Sequence, residues 1–257
     1  MMIISIITPT YNSSSTLEDT LKSITKQKFI DIEHIVVDGM SSDATLAVIE
    51  DYEGHTIRLI SESDDGIYDA YNKGYEMSCG NVVTFLNSDD YYANAEVLQR
   101  VADIFSDDPS IDIVCGGIEV ITASGEVVRR WMPAVISNGA MKEQLPYPAC
   151  FFRTKLIERL ETPFDASYRI SADFKQLLLL VDKLGAKVEC VPEVFVKFRV
   201  GGLSTSGLFS YLQGWTETIR AYNEIFGKGG WFYVIKKVLR KLLQITSFKR
   251  FLISIRG

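Results

Sequence analysis

Asp38, Asp64, Asp65, Asp89 and Asp90 each close or closely follow a short apolar run, and Thr8, Pro9, Tyr11 and Asn87 stand at the same kind of junction. Short apolar runs that empty into polar turns read as buried parallel strands, and open α/β sheets bind ligands outside the carboxyl ends of their strands. Acids gathered at one such edge repel one another unless a cation sits among them. Oxygen-only ligands suit a hard divalent ion, Mg²⁺ or Mn²⁺, and a cation that also grips a diphosphate resolves the repulsion. Each piece has a plainer use: Asp-Asp after a strand caps a helix or forms a solvated turn, and Asp38 before Gly39 suits a turn. Three acidic strand ends at one predicted edge favour the metal and nucleotide reading. Neither Gly-x-Gly-x-x-Gly nor Gly-x-x-x-x-Gly-Lys-Ser/Thr occurs, so a nucleotide here must be held by metal and side chains.

The elements that must position these residues alternate as βα units. Strands are predicted at Ile3–Thr8, Glu33–Val37, Ile57–Ile60 and Val82–Leu86, all four as continuous buried runs. Between them, Ser15 with Glu18 forms a capping box for a helix reaching Gln27, and Ser42-Asp43 caps a helix through Tyr52. A third helix runs from Ile67 to Ser78 and stops before Gly80. From Ile111 the pattern changes, with Ile111–Val120 and Glu126–Trp131 suiting an antiparallel hairpin around Thr122-Ala123-Ser124-Gly125. An apolar helix from Ser171 or Ala172 to Leu184, a strand at Lys187–Val191 and a loop at Gly201-Gly202 follow.

The chain has 257 residues, 47% of them hydrophobic and 23% charged, which suits one large α/β domain and excludes disordered and fibrous classes. Its four cysteines, Cys79, Cys115, Cys150 and Cys190, are far apart in sequence, so a zinc site and a small disulfide scaffold are not indicated, and they read as buried thiols in a reducing compartment. The N-terminal residues lack the features of a signal peptide, and no apolar run has the length of a membrane span, so a cytoplasmic location is expected. The net charge of -6 hides a division. Residues 225–257 hold eight Lys/Arg and no acid, leaving 19 basic against 33 acidic side chains, a net of -14, in the rest. Such a body repels polyanions, which argues against nucleic acid as a partner.

Four ordered motifs carry a family resemblance: Ile-Ser-Ile-Ile-Thr-Pro-Thr-Tyr-Asn (4–12), Val-Val-Asp-Gly-Met-Ser-Ser-Asp-Ala-Thr (36–45), Ser-Glu-Ser-Asp-Asp-Gly-Ile-Tyr-Asp-Ala-Tyr-Asn-Lys-Gly (61–74) and Gly-Asn-Val-Val-Thr-Phe-Leu-Asn-Ser-Asp-Asp (80–90). Together they resemble the family 2 glycosyltransferases of the GT-A fold, in the version similar to bacterial enzymes of O-antigen, capsule and exopolysaccharide synthesis. The resemblance implies inverting transfer of a sugar from a nucleotide-diphosphate sugar, with UDP favoured, to an acceptor hydroxyl. It places Thr8, Pro9, Tyr11 and Asp38 at the base and ribose, and Asp65, Asn72 and Lys73 along the donor pocket with Lys73 facing phosphate. Asn87 replaces the first acid of the family's Asp-x-Asp motif, Asp89 is the ribose or metal partner, and Asp90 is the preferred metal ligand. It further implies a general base in an acidic motif of the second half, for which Asp173 in Tyr-Arg-Ile-Ser-Ala-Asp-Phe (168–174) is the choice; a first-turn Asp favoured by the helix dipole is the plainer reading.

Gly201-Gly202-Leu203-Ser204 lies where relatives carry a loop that closes over the donor, or is a plain connector. Tyr147–Phe152 shapes an acceptor pocket or belongs to the core, and His34 and His55 read as structural. The division expected is a GT-A domain over 1–205 and a helical, basic, amphipathic segment over 206–257. There Trp231, Ile235, Val238, Leu242 and Ile245 recur at helical spacing beside Lys236, Lys237, Arg240 and Lys241. Such a segment lies in the interface of an anionic membrane, or docks its stripe on the domain. Membrane attachment at the inner face of the plasma membrane suits the implied acceptor, a saccharide on a polyprenyl diphosphate. Two other classes share features of this reading: a non-catalytic nucleotide-sugar-binding scaffold of the same fold, and a sugar nucleotidyltransferase. The second needs a Gly-rich, basic triphosphate segment that residues 8–16 lack.

Overall fold

The computed structural model describes residues 2–134, 136, 141, 143–200 and 208–239, with the side chains of 208 and 209 left aside. Four βα-type strands open the chain: β1 (Ile4–Thr10), β2 (Ile32–Asp38), β3 (Ile57–Ser61) and β4 (Val82–Phe85). They alternate with α1 (Leu17–Thr25), α2 (Thr45–Glu50) and α3 (Ile67–Met77). All four strands are parallel, in the order β3-β2-β1-β4, so their carboxyl ends share one edge. Then come β5 (Tyr91–Tyr92), α4 (Val97–Asp107), β6 (Ile113–Ile121), β7 (Val127–Trp131), β8 (Cys150–Arg153), α5 (Thr154–Ile157), α6 (Ala172–Leu177) and β9 (Val188–Arg199). They extend the sheet as β8-β6-β9-β5 with β7 on β6, and β8 runs antiparallel to both β4 and β6. The helix α7 (Leu208–Phe226) and a helical segment over 230–239 complete the described chain.

The apolar strands are buried because helices cover both faces. Ile7 and Val37 lie beneath α3, where a Cβ on Gly74 would approach Ile7 Cγ2 to 2.4 Å, so only glycine lets the helix sit this close. Beneath α3 and α6, Tyr71, Phe85, Tyr147, Phe152 and Phe164 form a connected aromatic cluster, with Phe85 and Phe164 edge-to-face at 4.9 Å between centroids. Tyr147, Phe151 and Phe152 thus belong to the core and not to an acceptor pocket.

Several expectations change. β3 is a sheet edge with Arg58 and Leu59 exposed, so its apolar run is only half-buried. The first helix starts at Leu17 after Thr16 and has no side-chain cap; Ser15 and Glu18 do not form the box. The apolar helix is α-helical only to Leu177 and continues as a π-helix over Leu178–Lys183. The strand after it runs on to Arg199, far beyond Val191, because β6 pairs with it along its length. Cys79 is exposed, whereas Cys115 and Cys150 are buried on paired strands with their Sγ atoms 3.2 Å apart.

The boundary at 205 and the Gly201–Ser204 loop lie outside the described residues, as do Arg240, Lys241, Leu242 and Ile245. α7 packs on α6 and buries Thr218 and Ala221. The 230–239 helix docks through Tyr233 and Val234, with Tyr233 4.9 Å from the Phe174 ring, and turns the other face outward. That face carries Trp231 (67% exposed), Phe232 (74%), Ile235 and Leu239. No described helix is long and apolar enough to cross a membrane.

Candidate active site

The β1 end is stitched to the β2 end by side chains of two loops. Asn12, at φ 49°, accepts from the Ser42 N–H (2.9 Å) and donates its own N–H to Ser41 Oγ (2.8 Å). The Ser13 N–H donates to Thr45 Oγ1 (2.7 Å) and Ser14 Oγ donates to Asp43 Oδ2 (2.7 Å). Asp38, fully buried, accepts from the Ser41 N–H (3.0 Å) and from both Ser41 and Ser61 hydroxyls, which keep its carboxylate hydrogen-bonded out of water. Tyr11, 65% exposed, leaves an aromatic face open at this edge, while Pro9 is buried in β1.

Thr8 sits deeper than a surface contact. Its hydroxyl lies 3.0 Å from His34 Nε2, His34 Nδ1 is 2.8 Å from His55 Nε2, and His55 Nδ1 is 2.7 Å from Thr25 Oγ1. Burial, with the nearby His55, pushes the His34 imidazole down to about 3, so the pair stays neutral and structural. Two residues on, Thr10 is buried with its hydroxyl lacking a partner among the described residues, and it pairs with Asp38 across the sheet. An orphaned hydroxyl at a strand's ligand end is a feature the sequence reading missed, although its i, i+2 spacing from Thr8 puts both on one face.

A Cβ on Gly39 would lie 2.5 Å from Asp64 Oδ2, so Asp64 stands against the β2 end, while Asp65 is exposed and gives its N–H to Asp69 Oδ2 (3.2 Å). Asn72 spends its amide on both backbone groups of Phe164 (2.9 and 3.0 Å). Lys73 reaches Ser63 O (2.7 Å), Glu62 (3.0 Å) and Asp69 (3.1 Å), which tie the loop to α3; against the lowering effect of desolvation, the two carboxylates raise its pKa.

At the β4 end the two acids differ. Asp90 is fully buried, accepting from the Arg199 N–H at Oδ1 (3.1 Å) and from the Asn87 amide at Oδ2 (3.2 Å). Burial and the charge of Asp89 push its carboxyl well above the usual range. Asp89 is only partly buried, and its carboxylate takes its own backbone N–H; burial raises its pKa and Arg199 opposes the rise. Asp90, the metal ligand preferred from the sequence, has each carboxylate oxygen hydrogen-bonded inside the protein, and Asp89 is the more open of the two. Among the described residues no group of three or more His, Cys, Asp or Glu is placed to hold a metal. One open carboxylate fits a Mg²⁺ or Mn²⁺ whose remaining ligands are substrate phosphates and water. Arg199 was not foreseen: it also reaches Asp89 O (3.4 Å), pairs with Asp19 and lies over the Tyr91 ring.

Asp173 opens α6, partly buried, 3.2 Å from the Tyr68 hydroxyl, which donates to Ile170 O at 2.6 Å. Three residues on along α3, the Tyr71 hydroxyl donates to Asn87 Oδ1 (2.6 Å). Tyr71 is raised well above the usual phenol range by burial, then by the charges of Asp90, Asp173 and Asp89. One face of α3 thus joins the β4 acids to Asp173. A partly open carboxylate, Asp89, stands at the β4 end, and a second, Asp173, raised above its usual range by burial, stands beside the Tyr68 hydroxyl. That arrangement can hold a diphosphate and accept a proton.

The model of "Glycosyl transferase family 2" matches residues 5–174, more than half of the chain and every site residue named above except Arg199. A "PGL/p-HBAD biosynthesis glycosyltransferase" of Mycobacterium tuberculosis is 33% identical over 174 residues, 66% of this chain and 66% of that protein. The chain therefore aligns with just under two thirds of that relative's length. Among solved structures, Staphylococcus aureus TarS 1–349 in complex with UDP-GlcNAc superposes with a TM-score of 0.59 at 24% identity, covering 77% of this chain and 58% of that one. The mannosyltransferase PcManGT of Pyrobaculum calidifontis, in complex with GDP-Man and Mn²⁺, superposes with a TM-score of 0.65 at 17% identity, covering 89% and 65%. These likenesses carry the fold, a GT-A sheet with its helices, and the match to the family model carries the rest: the chain belongs to glycosyl transferase family 2.

Proposed function

We propose that the protein is an inverting glycosyltransferase that moves a sugar from a UDP-sugar to a hydroxyl of a polyprenyl-diphosphate-linked saccharide in surface polysaccharide synthesis. The observation that supports the reading is the α3 face on which the Tyr71 hydroxyl meets Asn87, two residues before Asp89, and the Tyr68 hydroxyl meets Asp173. Tyr11 and the loops that join the β1 and β2 ends receive the nucleoside. The acceptor oxygen attacks the anomeric carbon as the bond to the diphosphate breaks and takes its electron pair with it. Asp173 accepts the acceptor's proton on its carboxylate. A divalent cation on Asp89 would neutralise charge growing on the departing diphosphate. Inversion follows from a single displacement, with no covalent enzyme intermediate. Calorimetric titration of UDP, with and without Mn²⁺, tests the donor class: metal-dependent binding is expected, and binding of GDP or dTDP alone would overturn the choice of UDP.

Membrane attachment is supported by the outward face of the 230–239 helix, where Trp231, Phe232, Ile235 and Leu239 stand beside exposed Lys236. Aromatic and aliphatic side chains flanked by lysine suit the interface of an anionic bilayer. The protein is expected to co-sediment with phosphatidylglycerol-rich vesicles and to be released by salt, and Trp231→Ser with Phe232→Ser should weaken binding at least about tenfold, since each loses most of an apolar side chain's insertion energy. A concentration-dependent dimer abolished by the same substitutions, without vesicle binding, would assign the face to a second copy instead.

A further inference from the structure

We propose that Glu217, on α7, is a positioning residue for the Asp173 base. The proposal rests on the reading of Asp173 as base given above. Glu217 is buried, and its carboxylate accepts three consecutive backbone N–H groups: Arg169 at Oε1 (3.1 Å), and Ile170 and Ser171 at Oε2 (2.8 and 2.9 Å). Gln213 donates to Oε1 (3.1 Å) and fixes the rotamer. Charge-assisted bonds of this kind are about twice as strong as neutral ones, and here they hold the peptide run that leads directly into Asp173.

The same run is gripped from the opposite side. The Tyr68 hydroxyl donates to Ile170 O, so one peptide segment is clamped between α3 and α7, with its N–H groups on Glu217 and its carbonyl on Tyr68. Ser171, which precedes α6, makes no side-chain cap; its hydroxyl instead donates to Gly214 O (3.1 Å) and joins α7 to the clamp. The lack of a side chain at Gly214 leaves room for this approach, since a Cβ there would already lie 3.3 Å from Ile170 Cγ2. A hydroxyl cap would have sufficed to start the helix. A carboxylate reaching in from a separate helix does more, because it fixes where Asp173 stands relative to α3 and the β4 acids.

The groups that face Asp173 are the Lys237 charge on the 230–239 helix, the Tyr68 hydroxyl on α3 and the Glu217 charge on α7, together with the buried Tyr71 and Tyr147 phenols. Glu217 disfavours ionisation of Asp173, and Lys237 and Tyr68 favour it. Glu217→Gln keeps the shape and removes the charge. In protein labelled with ¹³C at aspartate carboxyls, the Asp173 signal is identified by its loss in Asp173→Asn, and its titration midpoint is expected to fall in Glu217→Gln. UDP release from UDP-glucose and UDP-N-acetylglucosamine with water as acceptor should drop about 10- to 100-fold, the scale of a misplaced catalytic group. UDP affinity should stay within about twofold, separating positioning from donor binding. An unmoved Asp173 midpoint with unchanged release would overturn the proposal. So would loss of UDP binding together with release, or failure of both Glu217→Gln and Glu217→Ala to fold, since each would make the contact a general structural one. Retained release in Asp173→Asn would overturn the base reading, whatever Glu217→Gln does to the carbon signal.

Discussion

Asp89→Ala is expected to abolish metal-dependent UDP binding while leaving stability unchanged, and Asp90→Ala to keep that binding at a cost in stability. Asp89 is partly open and takes its own backbone N–H, so its carboxylate holds no other residue in place by a hydrogen bond among the described residues. Even partners one shell beyond a metal cost about 10- to 100-fold in metal affinity when removed, and loss of the ligand itself should cost at least that much. Asp90 is different in kind. Its removal leaves the part-buried Arg199 N–H and Asn87 amide without these partners, and fully buried polar groups without partners cost about 1–3 kcal/mol each. The relief of a desolvated carboxyl offsets part of that, so a net loss of about 1–3 kcal/mol in denaturant unfolding is expected. Calorimetry of UDP with Mn²⁺ on both variants separates the roles. Metal-dependent binding that survives Asp89→Ala and disappears in a folded Asp90→Ala would return the metal to Asp90.

The contrast between these neighbours shows what was legible in the sequence. Apolar runs and their polar ends located β1 to β4 to within two residues, because buried parallel strands leave a local signature. The same runs could not say which acid of a pair faces outward. That depends on contacts with Arg199 and Asn87, and on a Gly39 that brings Asp64 rather than Asp65 to the β2 end. Thr8 was legible as a strand-end residue, but its bond to His34 depends on the β1–β2 register. The capping box failed for a related reason: Ser14 is drawn across to Asp43, and Ser13 to Thr45, so the β1–α1 loop is shaped by the neighbouring loop and not by its own helix. Arg199 and Glu217 lie 109 and 44 positions from Asp90 and Asp173, beyond the reach of any spacing rule. Cys115 and Cys150 likewise meet only because β6 and β8 pair. Local periodicity carries the elements, and long-range pairing carries the site.

Asp173→Asn is expected to lose turnover by about 10²- to 10⁴-fold, the usual contribution of a positioned base, while binding UDP as the parent does. Loss of fold is not the expected cause. Burial raises the Asp173 pKa, and a carboxyl whose folded pKa is raised contributes stability that is fully present below its unfolded pKa and lost as pH rises through the folded one. At neutral pH a neutral amide escapes that cost, so the thermal midpoint of Asp173→Asn should equal or exceed the parent's. That outcome would be the pattern of a residue kept for chemistry at the expense of stability. The pH profile gives an independent check. The base acts when ionised, so turnover should rise with pH through the raised Asp173 midpoint and fall below it. The Tyr68 hydroxyl favours the ionised form; Tyr68→Phe should therefore move the acid limb to higher pH, opposite to Glu217→Gln. Equal shifts of one sign in both variants would mean that the limb reports a group other than Asp173. Turnover near the parent's in Asp173→Asn would take the base away from α6 altogether, and with it the reason for a clamp that holds residues 169–171 between two helices.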